Sequence, residues 1–91
     1  MNILEEAQSI IYANREKTYG RPSKNLDCIA QLWTAYLTNR KHSDEELGAV
    51  DVAAMMTLLK IARLANSPEH RDSLVDACGY LALIERCQDD A

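Results

Sequence analysis

Ninety-one residues, 47% of them hydrophobic and 26% charged, describe one small globular domain rather than a disordered or fibrous chain. A net charge of −4 and a pI near 5.0 exclude a sequence-independent grip on the backbone of DNA or RNA, though not a small polyanion held by a few placed cations. Three glycines, two prolines and no phenylalanine favour long helices over many strands and turns, so the whole chain, 1–91, is read as a single all-α domain.

Residues 3–17 have the period of an amphipathic helix, with Ile3, Leu4, Ala7, Ile10 and Ile11 on one stripe and Glu5, Glu6 and Gln8 opposite. This acidic N-terminus is not a secretory signal. The same helix sets Tyr12, Arg15 and Tyr19 on a second face. Gly20 ends it, and Ser23 is the expected N-cap of a second helix over about 24–39, whose core stripe is Leu26, Ile29, Ala30, Trp33 and Leu37. Arg40, Lys41 and His42 suit the dipole at its C-terminus.

Ser43 and Glu46 have the spacing of a capping box and open a third helix, with its main run over 49–65. From Val52 to Ala65 that run is apolar nearly all round, which calls for cover on more than one side and hence for a homodimer or higher oligomer. Asp51, Lys60 and Arg63 break it too soon for a membrane span. Ala-Asn-Ser-Pro then interrupts the pattern, with Ser67 as expected N-cap and Pro68 at the first position of a fourth helix over about 69–88. Its broad apolar face is Leu74, Val75, Ala77, Cys78, Leu81, Ala82 and Ile84. Cys28, Cys78 and Cys87 match no metal-ligand spacing and read as reduced, packed thiols of a protein in the host cytoplasm. The expected architecture is a compact four-helix bundle-like domain.

The chemistry gathers in the last two helices. Asp72 and Asp76 are four residues apart and share a face. Counting outward from the turn, Arg63 lies opposite Asp72, and Lys60 opposite Asp76 or close to it. As structure this is a salt-bridge ladder; as a site, the carboxylates hold Mg²⁺ and the cations hold phosphate. The Tyr12, Arg15, Tyr19 face with Arg21 is either a cation–π cluster or a place for a stacked base with guanidinium contacts to phosphate. His70 and Asn25, each in the first turn of a helix, either serve neighbours or reach a ligand there.

Residues 15–20 (REKTYG), 25–33 (NLDCIAQLW), 51–64 (DVAAMMTLLKIARL) and 70–80 (HRDSLVDACGY) together resemble a family of small phage and prophage proteins of unknown function. They are similar to the nucleotide-modification-associated domains and, more distantly, to the all-α NTP pyrophosphohydrolases of the MazG and dimeric dUTPase type. The resemblance implies a MazG-like fold, a nucleotide ligand, Mg²⁺ on Asp72 and Asp76, Arg15, Lys60 and Arg63 on phosphate, and Tyr12, Tyr19 or Tyr80 against a base. Those hydrolases carry E-E-x-x-E on one helix and E-x-x-D on the next. Here Asp51 is followed by Val-Ala-Ala-Met-Met, and Ser73 stands where the second motif has its glutamate, ahead of Asp76 and Tyr80. The departure leaves nucleotide binding, for modification or for sequestering a nucleotide signal, ahead of hydrolysis. A Mg²⁺-dependent pyrophosphohydrolase and a ligand-free module acting on a host factor are the alternatives.

Overall fold

A helix that is apolar nearly all round has to sit in the middle, and this one does. The computed structural model describes residues 1–12 and 15–90, side chains at 15 and 16 excepted. It contains five α-helices in chain order: α1 Ile3–Tyr12, α2 Arg15–Tyr19, α3 Pro22–Asn39, α4 Ala49–Asn66 and α5 Arg71–Asp89, with no strand among the described residues. The helix α4 packs against α5 along its length and against α3 on another side, while α3 and α5 do not touch. The short α2 lies across one end of α3 and α4, and α1 touches α2 alone.

Small residues set the closeness of this row. Ala53, Met55, Ala62 and Ala77 are buried together with Ile29, and the polar residues buried among them are Asn25, Thr57 and Ser73. Thr57 satisfies its hydroxyl on the carbonyl of Ala53 at 2.9 Å, so it enters the core without an orphaned group. Trp33 spans from α3 to α4 and donates its indole N–H to the carbonyl of Met55 at 2.7 Å. That bond fixes the register of the two helices more narrowly than aliphatic packing alone.

The first expected helix is two helical segments, α1 and α2, with residues 13 and 14 of that span outside the described residues. Gly20 follows α2 with φ 83°, the left-handed turn that glycine permits. The helix α3 starts at Pro22 rather than after Ser23, because proline's fixed φ suits the first helical position. The Ser43–Glu46 capping box does not form, and residues 41–44 are a turn. One half of such a box forms instead at the head of α4, where its third residue, Asp51, accepts the N–H of Gly48 at 2.9 Å. The helix α5 begins at Arg71 with His70 as N-cap, since Ser67 is occupied elsewhere.

The largest difference is which side of α5 is buried. Its α4-facing stripe is Ser73 and Ala77, continued by half-buried Tyr80, Ile84 and Cys87. Of the apolar face expected from sequence, Ala77 and Ile84 lie on that stripe, whereas Leu74, Val75, Cys78, Leu81 and Ala82 are exposed. Ser73 and Ala77 win because their size lets α5 approach α4 closely; the larger residues on the flanks, Leu74, Val75 and Leu81, stay about half exposed. The apolar stripe of α1 is likewise uncovered: Ile3, Leu4, Ile10 and Ile11 are all more than half exposed. With α1 reaching beyond the body, the radius of gyration is 15.2 Å, against about 12 Å for a spherical domain of this length. Among the described residues no helix is long and apolar enough to cross a membrane.

Candidate functional site

The end of α2 supplies the anchor. Its last carbonyls lack helical partners, and that of Thr18 accepts the amide of Asn66 at 2.8 Å and the hydroxyl of Ser67. The donors are the last residue of α4 and its C-cap. Gly20 is held against the same helix end, since a Cβ on it would stand 3.0 Å from the Asn66 carbonyl oxygen. The following residue, Arg21, is the exposed N-cap of α3.

Pinned in this way, Tyr19 becomes the centre of a cationic corner. The Arg63 guanidinium lies 4.4 Å from the centroid of its ring, and the His70 ring meets it edge-on at 5.5 Å and 87°. Nδ1 of His70 is 2.7 Å from the hydroxyl of Ser73, which is 1% exposed. Arg63 therefore does not pair with Asp72, as counting from the turn suggested: α2 brings a flat aromatic surface over that end of α4, and a guanidinium stacks on it. Asp72 is exposed, with no ion pair among the described residues. The other rung does form, Lys60 to Asp76 at 3.0 Å.

Beside Tyr19 a cavity of ≈ 120 Å³ opens between α2, α3 and α4. Tyr19, Gly20, Lys24, Asn25, Cys28 and Asn66 surround it, over Ala62 and Ala65. Asn25 is 7% exposed and its side-chain nitrogen has no hydrogen-bond partner; the Nε of Arg63 is buried and unpartnered as well. Buried donors are seldom left unpaired, so two of them at one corner mark it out. Among the described residues no carboxylate lines the cavity. Lys24, Cys28 and Asn66 had no functional reading in the sequence. Asn66 had been only part of a helix break, and its role shows once Thr18 comes to it from 48 residues away.

The remaining expected site residues are not gathered here. Tyr12 is exposed on α1 and does not line the cavity. The side chain of Arg15 lies outside the described residues. Tyr80 is half-buried on α5 and shares a shallow groove with Val75, Asp76, Gly79 and Leu83. For Mg²⁺ the fit is poor: Asp76 is engaged by Lys60, Asp72 adds one exposed carboxylate, and no group of three or more candidate ligands occurs among the described residues.

A second polar cluster closes the other end of α4. Asp51 accepts the Tyr36 hydroxyl at 2.8 Å, Arg40 at 3.0 Å and the Gly48 N–H at 2.9 Å, and Arg40 also donates to the carbonyl of Glu45. The Gly48 N–H, then the Tyr36 hydroxyl and Arg40, hold the Asp51 carboxyl below the usual carboxylate value. Burial, then the Asp51 carboxylate, pushes the Tyr36 phenol up. An aspartate at the head of an apolar helix was the available signal, the same one that drew attention to Lys60 and Arg63.

Comparison with known proteins gives a family without an assigned activity. Residues 2–88 match a family described as a domain of unknown function, DUF6378. The chain is 42% identical over 89 residues to the Gene 55 protein of Mycobacterium phage D29, covering 98% of this chain and 55% of that protein. It is 41% identical over 88 residues to the Gene 55 protein of Mycobacterium phage L5, covering 97% of this chain and 53% of that protein. The chain thus spans about half the length of these relatives. No solved structure matches.

Proposed function

For a chain that belongs to the DUF6378 family and has relatives in mycobacteriophages, we propose nucleotide binding, with the phosphate end of the nucleotide at the Tyr19 corner. The observation that carries this reading is a cavity lined by Lys24 and a buried, unpartnered Asn25, next to an Arg63 that has left the carboxylates of α5. In an acidic protein a pocket whose described lining offers donors and no carboxylate suits an anion. Tyr19 holds Arg63 in place, and the guanidinium is the group that contacts the ligand. Arg21 stands exposed at the neighbouring helix start and serves the outer part of the ligand.

The reading extends the resemblance to the nucleotide-modification-associated domains and the MazG-type fold, and it leans away from hydrolysis. Asp51 and Asp76 already serve Tyr36, Arg40, Gly48 and Lys60, so neither is free to assemble the metal set a triphosphate hydrolysis needs. Calorimetry with a panel of ribo- and deoxynucleotides tests binding. Wild type is expected to bind at least one class, and Arg63→Ala to bind about tenfold or more weakly, as loss of a charge-assisted contact implies. Heat from no nucleotide, or equal affinity in the variant, contradicts the reading.

The uncovered flanks of α1 and α5 favour a second element of the proposal, association with a further copy of this chain, where Leu74, Val75, Leu81 and Leu83 find cover. Sedimentation at micromolar concentration is expected to give a dimer or larger species. A monomer throughout would leave those flanks to a host protein.

A further inference from the structure

The size and chemistry of the Tyr19 cavity specify which part of a ligand it takes. At ≈ 120 Å³ it has about the volume of four waters in the liquid, well below the roughly 300–1,000 Å³ of pockets that enclose a whole small-molecule ligand. A phosphate group fits that volume; a purine or pyrimidine with its sugar does not. The polar lining is rich in donors. Lys24 brings a cation, and Asn25 brings a side-chain amide that is buried without a partner. The amide nitrogen of Asn66 is taken by Thr18, and its oxygen is turned to Gly20. Both Lys24 and Asn25 belong to the first turn of the 18-residue helix α3, whose N-cap Arg21 makes no side-chain cap and whose first residue is Pro22. The N–H groups of Ser23 and Lys24 therefore receive no side-chain cap from Arg21. A helix start of this kind favours an anion, and the stranded amide of Asn25 independently marks the same turn.

We propose that this cavity takes a single terminal phosphate monoester, without a metal ion, and leaves sugar and base outside. The inference rests on the nucleotide reading for the identity of its ligand, though not for the pocket. Its consequences are specific. Affinity is set by the terminal dianion, so nucleotides with different bases bind alike. A 3′,5′-cyclic nucleotide, whose phosphodiester carries one charge and two ring bonds, cannot insert. Because the described lining holds cationic and amide donors and no carboxylate, Mg²⁺ is not needed to bring the phosphate in, and a Mg²⁺-masked phosphate binds no better than a free one.

The experiment is calorimetric titration of the full chain with four 5′-mononucleotides, a 3′,5′-cyclic mononucleotide, the matching nucleoside and ribose 5-phosphate, each in EDTA and in Mg²⁺. The expected result is four mononucleotides within about threefold of one another in either condition, the cyclic form at least tenfold weaker, and no binding of the nucleoside. Asn25→Asp, which sets a carboxylate against the phosphate, is expected to abolish binding. Because Asn25 is buried and that variant can unfold, Lys24→Ala at an exposed position gives the second reading, with a loss of about tenfold for one charged contact. Cyclic nucleotide as tight as the mononucleotides, a base preference beyond tenfold, a Mg²⁺ requirement, or an unchanged Lys24→Ala overturns the inference while nucleotide binding stands. Ribose 5-phosphate as tight as the mononucleotides supports the pocket assignment and removes the nucleotide from it. No binding of any phosphate ester overturns both.

Discussion

The two ends of α4 carry polar clusters of opposite character. At the N-terminal end Asp51 is a carboxylate fully served by Tyr36, Arg40 and Gly48, and the connection from α3 is folded around it. At the C-terminal end Arg63 and His70 pack on the Tyr19 ring and Lys24 lines the cavity beside it, with no carboxylate among the described residues of its lining, and the donors of Asn25 and Arg63 go unpaired. Arg40 also keeps one buried Nε without a partner, but its guanidinium is neutralised by an ion pair at 3.0 Å. The lesson is that a charge on an apolar helix has two explanations, and its partners tell them apart. A closed cluster serves the fold, whereas an open one of a single sign has a place for something else.

Removing one residue from each cluster sharpens the contrast most. Arg40→Ala strips Asp51 of its cation and frees the connection at Glu45, a loss on the order of 2 kcal/mol for charge-assisted hydrogen bonds. Urea unfolding is expected to show a clear fall in midpoint. Arg63→Ala removes a cation–π contact worth about 0.5–1 kcal/mol and breaks no ion pair among the described residues, so its midpoint stays near wild type. Equal losses in the two variants would erase the distinction.

Gly20→Ala comes next. A left-handed backbone carrying a Cβ costs roughly 1–2 kcal/mol, and here the added atom also presses on Asn66 at 3.0 Å. Because Asn66 clips Thr18, the variant is expected to lower stability and to disturb the Tyr19 corner. Near-wild-type melting together with unchanged Tyr19 resonances would show that the clip is dispensable. Smaller still is Asp76→Asn: the carboxylate is 47% exposed, so screening by water limits the pair to about 1 kcal/mol or less.

The closed cluster also sets the pH limits. Asp51 has its carboxyl held down in the folded chain, so its contribution is present above the ordinary carboxylate value, about 4, and is lost as pH falls through the lower folded value. Tyr36 is shifted up, so its contribution is intact below the ordinary phenol value, about 10, and is lost as pH rises through the higher folded one. Melting temperature against pH should fall at both limits in wild type. In Tyr36→Phe the alkaline fall should be smaller; an unchanged alkaline limb would dissociate Tyr36 from it.

Local rules made the long helices legible. The all-round apolar run 52–65 announced a helix that needs cover on more than one side, the count outward from the turn placed Lys60 opposite or close to Asp76, and Gly20 was a stop. Competition for groups was not legible. Ser67 looks like an N-cap, but Thr18 takes it; Ser43 looks like one too, yet Asp51 caps α4 from inside. The apolar pattern of α5 pointed to Leu74 and Leu81, while Ser73 and Ala77 set the contact, because closeness between helices is decided by the smallest residues. Arg63 was expected at Asp72 for want of any sign that Tyr19, on another helix, would lie over it. At the site, residue types were readable where their spacing was local, as with Asn25 at a helix start; the pairing of Asn66 with Thr18 needed the fold.

The contrast between the ends of α4 is tested most directly by thermal melting of wild type, Arg40→Ala and Arg63→Ala, each with and without a saturating 5′-mononucleotide. At a ligand concentration of 100 times Kd, binding to the folded state adds about 2.7 kcal/mol, well above the resolution of a melt. The account predicts a low-melting Arg40→Ala that the nucleotide still raises as much as it raises wild type, and a near-native Arg63→Ala that it raises far less. A nucleotide shift that survives in Arg63→Ala and vanishes in Arg40→Ala would contradict it, and would move the ligand to the other end of the helix.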